Sequence, residues 1–400
     1  MRKVLRVVLP VLAYLLYWTL GLPWYLDLAV ALVALPLLVR AAPAKSAALL
    51  VSLLLSLALV EVAVRALAPG VASVYRDHEK WRHDNDRYER NVVDTIAQPY
   101  GDLVAMMPSL ARALSEPRSV DFRTDSEGLR NGADYHGQAL VLVGDSFVVG
   151  NGNTQANTLP EVLRSAHGLD TYSIAYPGDP LRYFHAARLF LAKHPDVRFL
   201  FFFFEGNDFE PTVGPAPFAQ EPNGYDVFRS RIRADVYPGL RYPSVVFNVS
   251  RNLERELRGG PNAPARVVVH ELGGRPVGFL SEFIRIASAP DLRILGLDLD
   301  PKKVVAHTAG VFFIPTKYRV YKPWIDDGVT LPEPSSAFAA LRAFYSASGV
   351  PLVDLTPALR RRAGELLPEG KCVFWRDDTH WNEHGIRAAA EEVARVAGAR

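Results

Sequence analysis

Apolar positions fall into two regimes along the chain. Between residues 4 and 68 only Arg6, Asp27, Arg40, Lys45, Glu61 and Arg65 interrupt a run rich in Leu, Val and Ala. Three apolar stretches, at about 7–22, 24–39 and 46–64, approach the roughly 20 residues a helix needs to cross a bilayer. Gly21-Leu22-Pro23 marks a turn between the first two. Arg2, Lys3 and Arg6 precede the first stretch, Arg40 and Lys45 separate the second from the third, and the 21–27 loop holds no Lys or Arg. The positive-inside bias then predicts a cytoplasmic amino terminus, a hairpin and a third span leading out, with Trp18, Trp24 and Tyr25 in an outer aromatic belt. No small-residue cleavage site follows a single apolar region, which argues against a cleaved signal peptide. Residues 1–68 are therefore expected to form a multi-pass anchor of about three transmembrane helices.

Residues 69–136 are polar, with mixed charge over 76–90, and read as a linker with a packed segment. From about 137 short apolar runs alternate with helical stretches, the pattern of an α/β domain with a parallel sheet. Strands are expected at 139–143, 171–175, 198–204, 310–314, 351–355 and 372–375. Helices are expected from about 158 and at 181–193, 335–348, 357–367 and 383–396. Thr158 and Glu161 have capping-box spacing, with Pro160 in the first turn. The run at 198–204 (RFLFFFF) is apolar on both faces, as a central parallel strand should be. Residues 211–300 show no clear period between Pro/Gly-rich pieces and read as an insertion in a domain spanning 137–400.

Composition narrows the function. Hydrophobic residues make up 49% of the chain and the net charge is only +2, which excludes disorder as the main state and leaves no basic field for nucleic acid. The anchor holds six basic and two acidic residues, so the remainder is near −2. A nearly neutral domain outside the cytoplasmic membrane suits an enzyme facing neutral or weakly charged substrates. Cys372 is the one cysteine, which excludes an internal disulfide and a Cys-built zinc site.

Four short segments carry candidate chemistry. Gly144-Asp145-Ser146-Phe147 directly follows the strand at 139–143, where open α/β sheets keep their ligand crevice. Asp377-Asp378-Thr379-His380-Trp381-Asn382 precedes the last helix. A serine nucleophile needs a base in reach, and the base needs a carboxylate to fix its tautomer; a carboxylate two or three residues before a histidine supplies both. His380 and His384 are four apart, a metal-ligand spacing, but no third ligand is evident, so no metal is expected, nor a cofactor. Gly206-Asn207-Asp208 follows the strand at 198–204, and an asparagine N–H there can donate to a developing oxyanion. Tyr176-Pro177-Gly178 offers a backbone N–H for the same charge.

Serine, glycine, asparagine and Asp/His in this order resemble the SGNH (GDSL-type) hydrolase superfamily over about 121–210 and 305–398. The resemblance includes Asp125-Ser126-Glu127-Gly128-Leu129-Arg130 and His194-Pro195-Asp196. It implies a three-layer α/β fold, Ser146 as nucleophile and His380 as base. It also implies an oxyanion hole from the Ser146 and Gly178 N–H groups and the Asn207 side chain. The C-terminal part resembles the alginate O-acetyltransferase branch, through Asp378-Thr379-His380-Trp381 and the Pro-x-Lys of Pro315-Thr316-Lys317. The general family's spacing puts the triad acid at Asp377 and the branch's spacing at Asp378, so both stand as candidates. Trp375 and Trp381, flanking this loop, favour a sugar-stacking surface.

The expected activity is that of a membrane-anchored esterase or O-acetyltransferase acting on a cell-surface or exported polysaccharide. Two alternatives stand beside it: a lipase or lysophospholipase, and a catalytically silent adaptor in a membrane assembly. Expected partners are an acylated carbohydrate or other acyl ester, the lipid bilayer, and a membrane protein delivering acyl groups, with no nucleic acid. The expected location is the bacterial inner membrane, with the catalytic domain on the periplasmic side.

Overall fold

The computed structural model describes residues 87–212, 267–295 and 302–398, with a few helical positions between 52 and 63. The chain divides into two compact units, one of residues 1–80 with 222–264 and one of residues 81–221 with 265–400. Apart from those few positions, the predicted anchor at 1–68 lies outside the described residues, as do 213–266 and 296–300 of the predicted insertion. Among the described residues no helix is long and apolar enough to cross a membrane.

In the second unit the described strands are β1 (Val93–Gln98), β2 (Arg118–Arg123), β3 (Leu140–Val143), β4 (Thr171–Ser173), β5 (Arg198–Phe204) and β6 (Phe209–Pro211). After them come β7 (Val267–Leu272), β8 (Arg275–Leu280), β9 (Leu292–Ile294), β10 (Thr308–Ile314) and β11 (Leu352–Asp354). The helices begin with α1 (Asp102–Met106), α2 (Ala111–Leu114), α3 (Ser146–Val149), α4 (Leu159–His167) and α5 (Pro180–Lys193). They continue with α6 (Ser281–Ser288), α7 (Lys302–Ala306), α8 (Lys317–Tyr321), α9 (Ser336–Tyr345), α10 (Thr356–Leu366) and α11 (Glu383–Gly398).

Five parallel strands form the central sheet in the order β11-β10-β5-β3-β4. Successive side chains of a strand point to opposite faces, so β5 splits its apolar run in two. Leu200, Phe202 and Phe204 join Leu142, Phe312 and Ile314 against α4, α10 and α11. Phe199, Phe201 and Phe203 join Val141, Val143 and Val311 against α5 and α9. The result is a three-layer sandwich. Chain order reverses at β3, whose neighbours are β4 and β5, and ligand crevices of open α/β sheets form at such a switch point.

The expected strand at 372–375 is not part of this sheet. Phe374 makes a single antiparallel bridge with Trp381 inside its own loop, and Val373 O accepts from Asn382 N–H. Its residues are apolar because the loop is buried, not because it pairs with β11. The capping box is also absent: Thr158 Oγ1 donates to Gln155 O, and Glu161 pairs with Arg164.

The polar stretch before the sheet is more ordered than a linker. β1 and β2 pair antiparallel and send Ile96, Val120 and Phe122 into the first core layer. Part of the stretch read as an insertion folds as the β7–β8 hairpin and α6. Its Gly273-Gly274 turn has φ of +58° and +72°, backbone that glycine adopts without strain.

Candidate active site

Ser146 opens α3 directly beyond the carboxyl end of β3. Asp145 caps the helix by accepting from Phe147 N–H at 2.9 Å. Ser146 is half-buried among fully buried neighbours. Behind it, the buried Arg130 guanidinium donates to the carbonyls of Val149, Gly150 and Asn153 and to that of Asp121. The upstream Asp125–Arg130 segment thus fixes the turn that follows the serine.

His380 reaches Ser146 from the loop before α11. Its Nδ1–H donates to Asp378 Oδ1 at 2.7 Å, which leaves Nε2 to accept from Ser146 Oγ at 2.7 Å. Trp381 ties the two segments together: its Nε1–H donates to Phe147 O at 3.0 Å and its carbonyl accepts from Asn153 Nδ2 at 2.9 Å. That ring is fully buried, so Trp381 is core and not a sugar-stacking surface. Trp375 is half-buried, and the Arg118 guanidinium sits 4.4 Å from its ring centre.

The two candidate acids have different partners. Asp378 faces the imidazole, and its Oδ2 accepts from Arg118 Nη2 at 2.9 Å. Asp377 turns the other way and accepts from Gly101 N–H (2.7 Å), Glu116 N–H (2.8 Å) and Arg118 Nη1 (3.0 Å). A Cβ at position 101 would lie 2.4 Å from Asp377 O, so this approach requires glycine. Burial pushes the Asp377 carboxyl up, and Arg118 pulls it back.

Three charged groups complete the loop. Lys317 is buried at the start of α8, and its Nζ donates to the carbonyls of Trp375, Arg376 and Asp378 at 2.7, 3.1 and 3.1 Å. Burial lowers its pKa to about 8 against the pull of nearby anions. Asp102, on α1, accepts from both the N–H and the hydroxyl of Thr379. Arg118 on β2 is the third. In the sequence Lys317 stands out only as part of the Pro-x-Lys segment, and Asp102 and Arg118 do not stand out at all. Both lie in polar stretches whose burial leaves no trace in a hydropathy pattern.

Asn207 follows β5, and its Nδ2 lies 3.5 Å from Asp145 Oδ2 across the switch point. The nearby Glu205 is fully buried, accepting from Arg319 Nε, Ser335 Oγ and the N–H and hydroxyl of Thr316. This network fixes the strand end that carries Asn207. The Gly178 N–H makes no hydrogen bond among the described residues. Asn382 caps α11, its Oδ1 accepting from His384 and Gly385 N–H.

His380 is buried, which would lower its pKa. The carboxylates of Asp378, Asp102 and Asp145 outweigh that and hold it above the usual value. Burial raises Asp145 to about 6, against the Phe147 N–H bond. Among the described residues Asp102, Asp378 and His380 bring three metal-type ligand atoms within 4.8 Å, but Arg118 already occupies a cation's place at Asp378. His384 does not join them; its Nε2 lies 3.8 Å from Glu383 Oε1.

No curated protein matches the chain. Residues 307–400 match the family model described as SGNH hydrolase-like domain, acetyltransferase AlgX, a segment that holds Lys317, Asp377, Asp378 and His380 but not Ser146, Gly178 or Asn207. Over that quarter of the chain the protein is similar to the acetyltransferase branch of SGNH-like domains, and the five-stranded parallel α/β sheet fits such a domain.

Proposed function

We propose that the protein is a serine acyl-ester hydrolase or O-acetyltransferase that modifies a polysaccharide through an acyl-serine. In this reading residues 1–68 anchor it in the bacterial inner membrane, and the α/β unit works on the periplasmic side. The observation that carries the reading is the pair of 2.7 Å hydrogen bonds from Ser146 through His380 to Asp378 at the carboxyl edge of a parallel sheet. The acetyltransferase description over 307–400 supports an acetyl ester of a glycan as the substrate class. The exposed Leu55, Leu59 and Val62 on one helical stretch support the anchor.

His380 Nε2 takes the Ser146 proton as Oγ attacks the ester carbonyl, and Asp378 balances the imidazolium. The Ser146 and Gly178 N–H groups and Asn207 Nδ2 donate to the oxyanion. Collapse expels the alcohol, which leaves with the proton from His380. Water or a sugar hydroxyl then gives its proton to His380 and takes the acyl group, restoring Ser146. An acyl-donor protein in the membrane would supply the first ester.

The test is the full-length chain in detergent with a chromogenic acetyl ester, with and without acceptor oligosaccharides. Ser146→Ala and His380→Ala should each lower kcat by at least roughly 10⁴-fold. Wild-type turnover no faster than either variant would overturn the reading. A substrate panel separates glycan esters from phospholipids.

A further inference from the structure

We propose that Asp102 is a positioning residue for the base: a second carboxylate at the His380 imidazole, carried by α1, that holds Thr379 and biases the protonation of the ring. The inference rests on His380 being the base, as proposed above.

The geometry is specific. Asp102 Oδ2 lies 3.9 Å from His380 Nδ1, behind Asp378 at 2.7 Å. The carboxylate accepts from the N–H and hydroxyl of Thr379, and the Asp102 N–H faces Asp378 Oδ2 at 3.4 Å. Asp102 therefore grips both residues that lead into His380. It is 4% exposed, so solvent does little to screen it.

Charge explains why this carboxylate matters. The buried Arg118 spans the carboxylates of Asp377 and Asp378, while the buried Lys317 is held by main-chain carbonyls of their loop. Asp145 is held by the Phe147 N–H and Asn207, and Glu116 receives the Arg376 N–H. Asp102 is left as an anion in excess, and the imidazolium formed when Ser146 gives up its proton is the cation facing it. An ionised Asp102 stabilises that imidazolium; a neutral one does not. Burial and the neighbouring Asp378 raise Asp102 to about 7, against the pull of the His380 ring.

The test follows the His380 signal in isotopically His-labelled, full-length protein in detergent, assigned by its loss in His380→Asn. Coupled groups each leave an inflection, so the wild-type curve should bend more than once. Asp102→Asn keeps an acceptor for Thr379 but removes the charge. Its curve should lose one inflection and move down by at least about half a pH unit. Asp145→Asn should keep the inflection that Asp102→Asn removes. In ester hydrolysis the acid limb of kcat should shift with the ring, with KM unchanged.

A wild-type curve with one inflection, an Asp102→Asn curve superimposed on wild type, or an Asp145→Asn curve with a single inflection would each overturn the assignment. The wild-type and Asp145→Asn curves decide it even if Asp102→Asn fails to fold. Absent ester turnover would overturn the catalytic reading alone, since the titration needs no turnover.

Discussion

Replacing Arg118 by methionine removes one charge that serves two carboxylates. The guanidinium spans Asp377 at 3.0 Å and Asp378 at 2.9 Å, with the arginine side chain 5% exposed and both aspartates sealed from solvent. Removing one partner of such a buried pair costs about 3–5 kcal/mol, because two carboxylates cut off from water lose the cation that spans them. At roughly 2–4 °C per kcal/mol for a domain of this order of size, melting should fall by about 6–20 °C at pH 8. The sign with pH is fixed. Arg118 pulls Asp377 down against its burial, so without it that carboxyl takes up its proton at higher pH in the folded state. Below that point the orphaned charges are neutralised and the penalty shrinks, so the loss should be smaller at pH 5.5 than at pH 8. Arg118→Lys restores the charge but not the two-pronged geometry, and should recover only part of the loss. Thermal unfolding of the full-length chain at the two pH values measures this. A variant melting within about 2 °C of wild type at pH 8, or losing more at pH 5.5, would refute the reasoning.

Asp378→Asn should lower kcat by about 10⁴-fold, because the amide stabilises the wrong imidazole tautomer. Asp377→Asn should instead lower the melting temperature and leave kcat within about tenfold; the reverse pattern in ester hydrolysis and melting would assign the triad role to Asp377. Lys317→Met keeps the buried stem but removes the donor shared by three loop carbonyls, so kcat should fall by roughly 10–100-fold. Since the wild-type amine loses its proton above about pH 8, wild-type kcat should decline there while the methionine variant stays flat; parallel profiles would show that the charge does not matter.

The central sheet was legible because it is built of continuous apolar runs. β5 is buried at six of its seven positions and its neighbour β10 at all seven, so both faces of each strand carry the same signal. Ser146 and His380 were legible through short motifs that follow such a strand or precede a helix. Spacing could not choose between Asp377 and Asp378, since either can reach the ring. In the structure Gly101, Glu116 and Arg118 take up Asp377 and leave Asp378 facing the imidazole, and these partners lie some 260 residues away. Asp102 was illegible for the same reason: hydropathy treats a buried carboxylate with two donors like an exposed one. The loop at 372–374 misled in the opposite sense, its apolar residues serving burial without sheet pairing.

The 276-residue separation between Gly101 and Asp377 sets an order of assembly during synthesis. Gly101, Asp102 and Arg118 leave the ribosome well before Asp377, Asp378 and Thr379. At about 5–20 residues per second the early group waits roughly 15–55 s for them. Throughout that interval Arg118 has Gln98 and Glu116 within reach but not its two carboxylates, and Asp102 lacks Thr379, so the early segment cannot complete its final packing. Ser146 is likewise translated 234 residues before His380, its hydrogen-bond partner. A chain cut short before residue 377 would therefore lack both the hydrogen-bond partner of Ser146 and the contacts that hold Gly101, Asp102 and Arg118 in place.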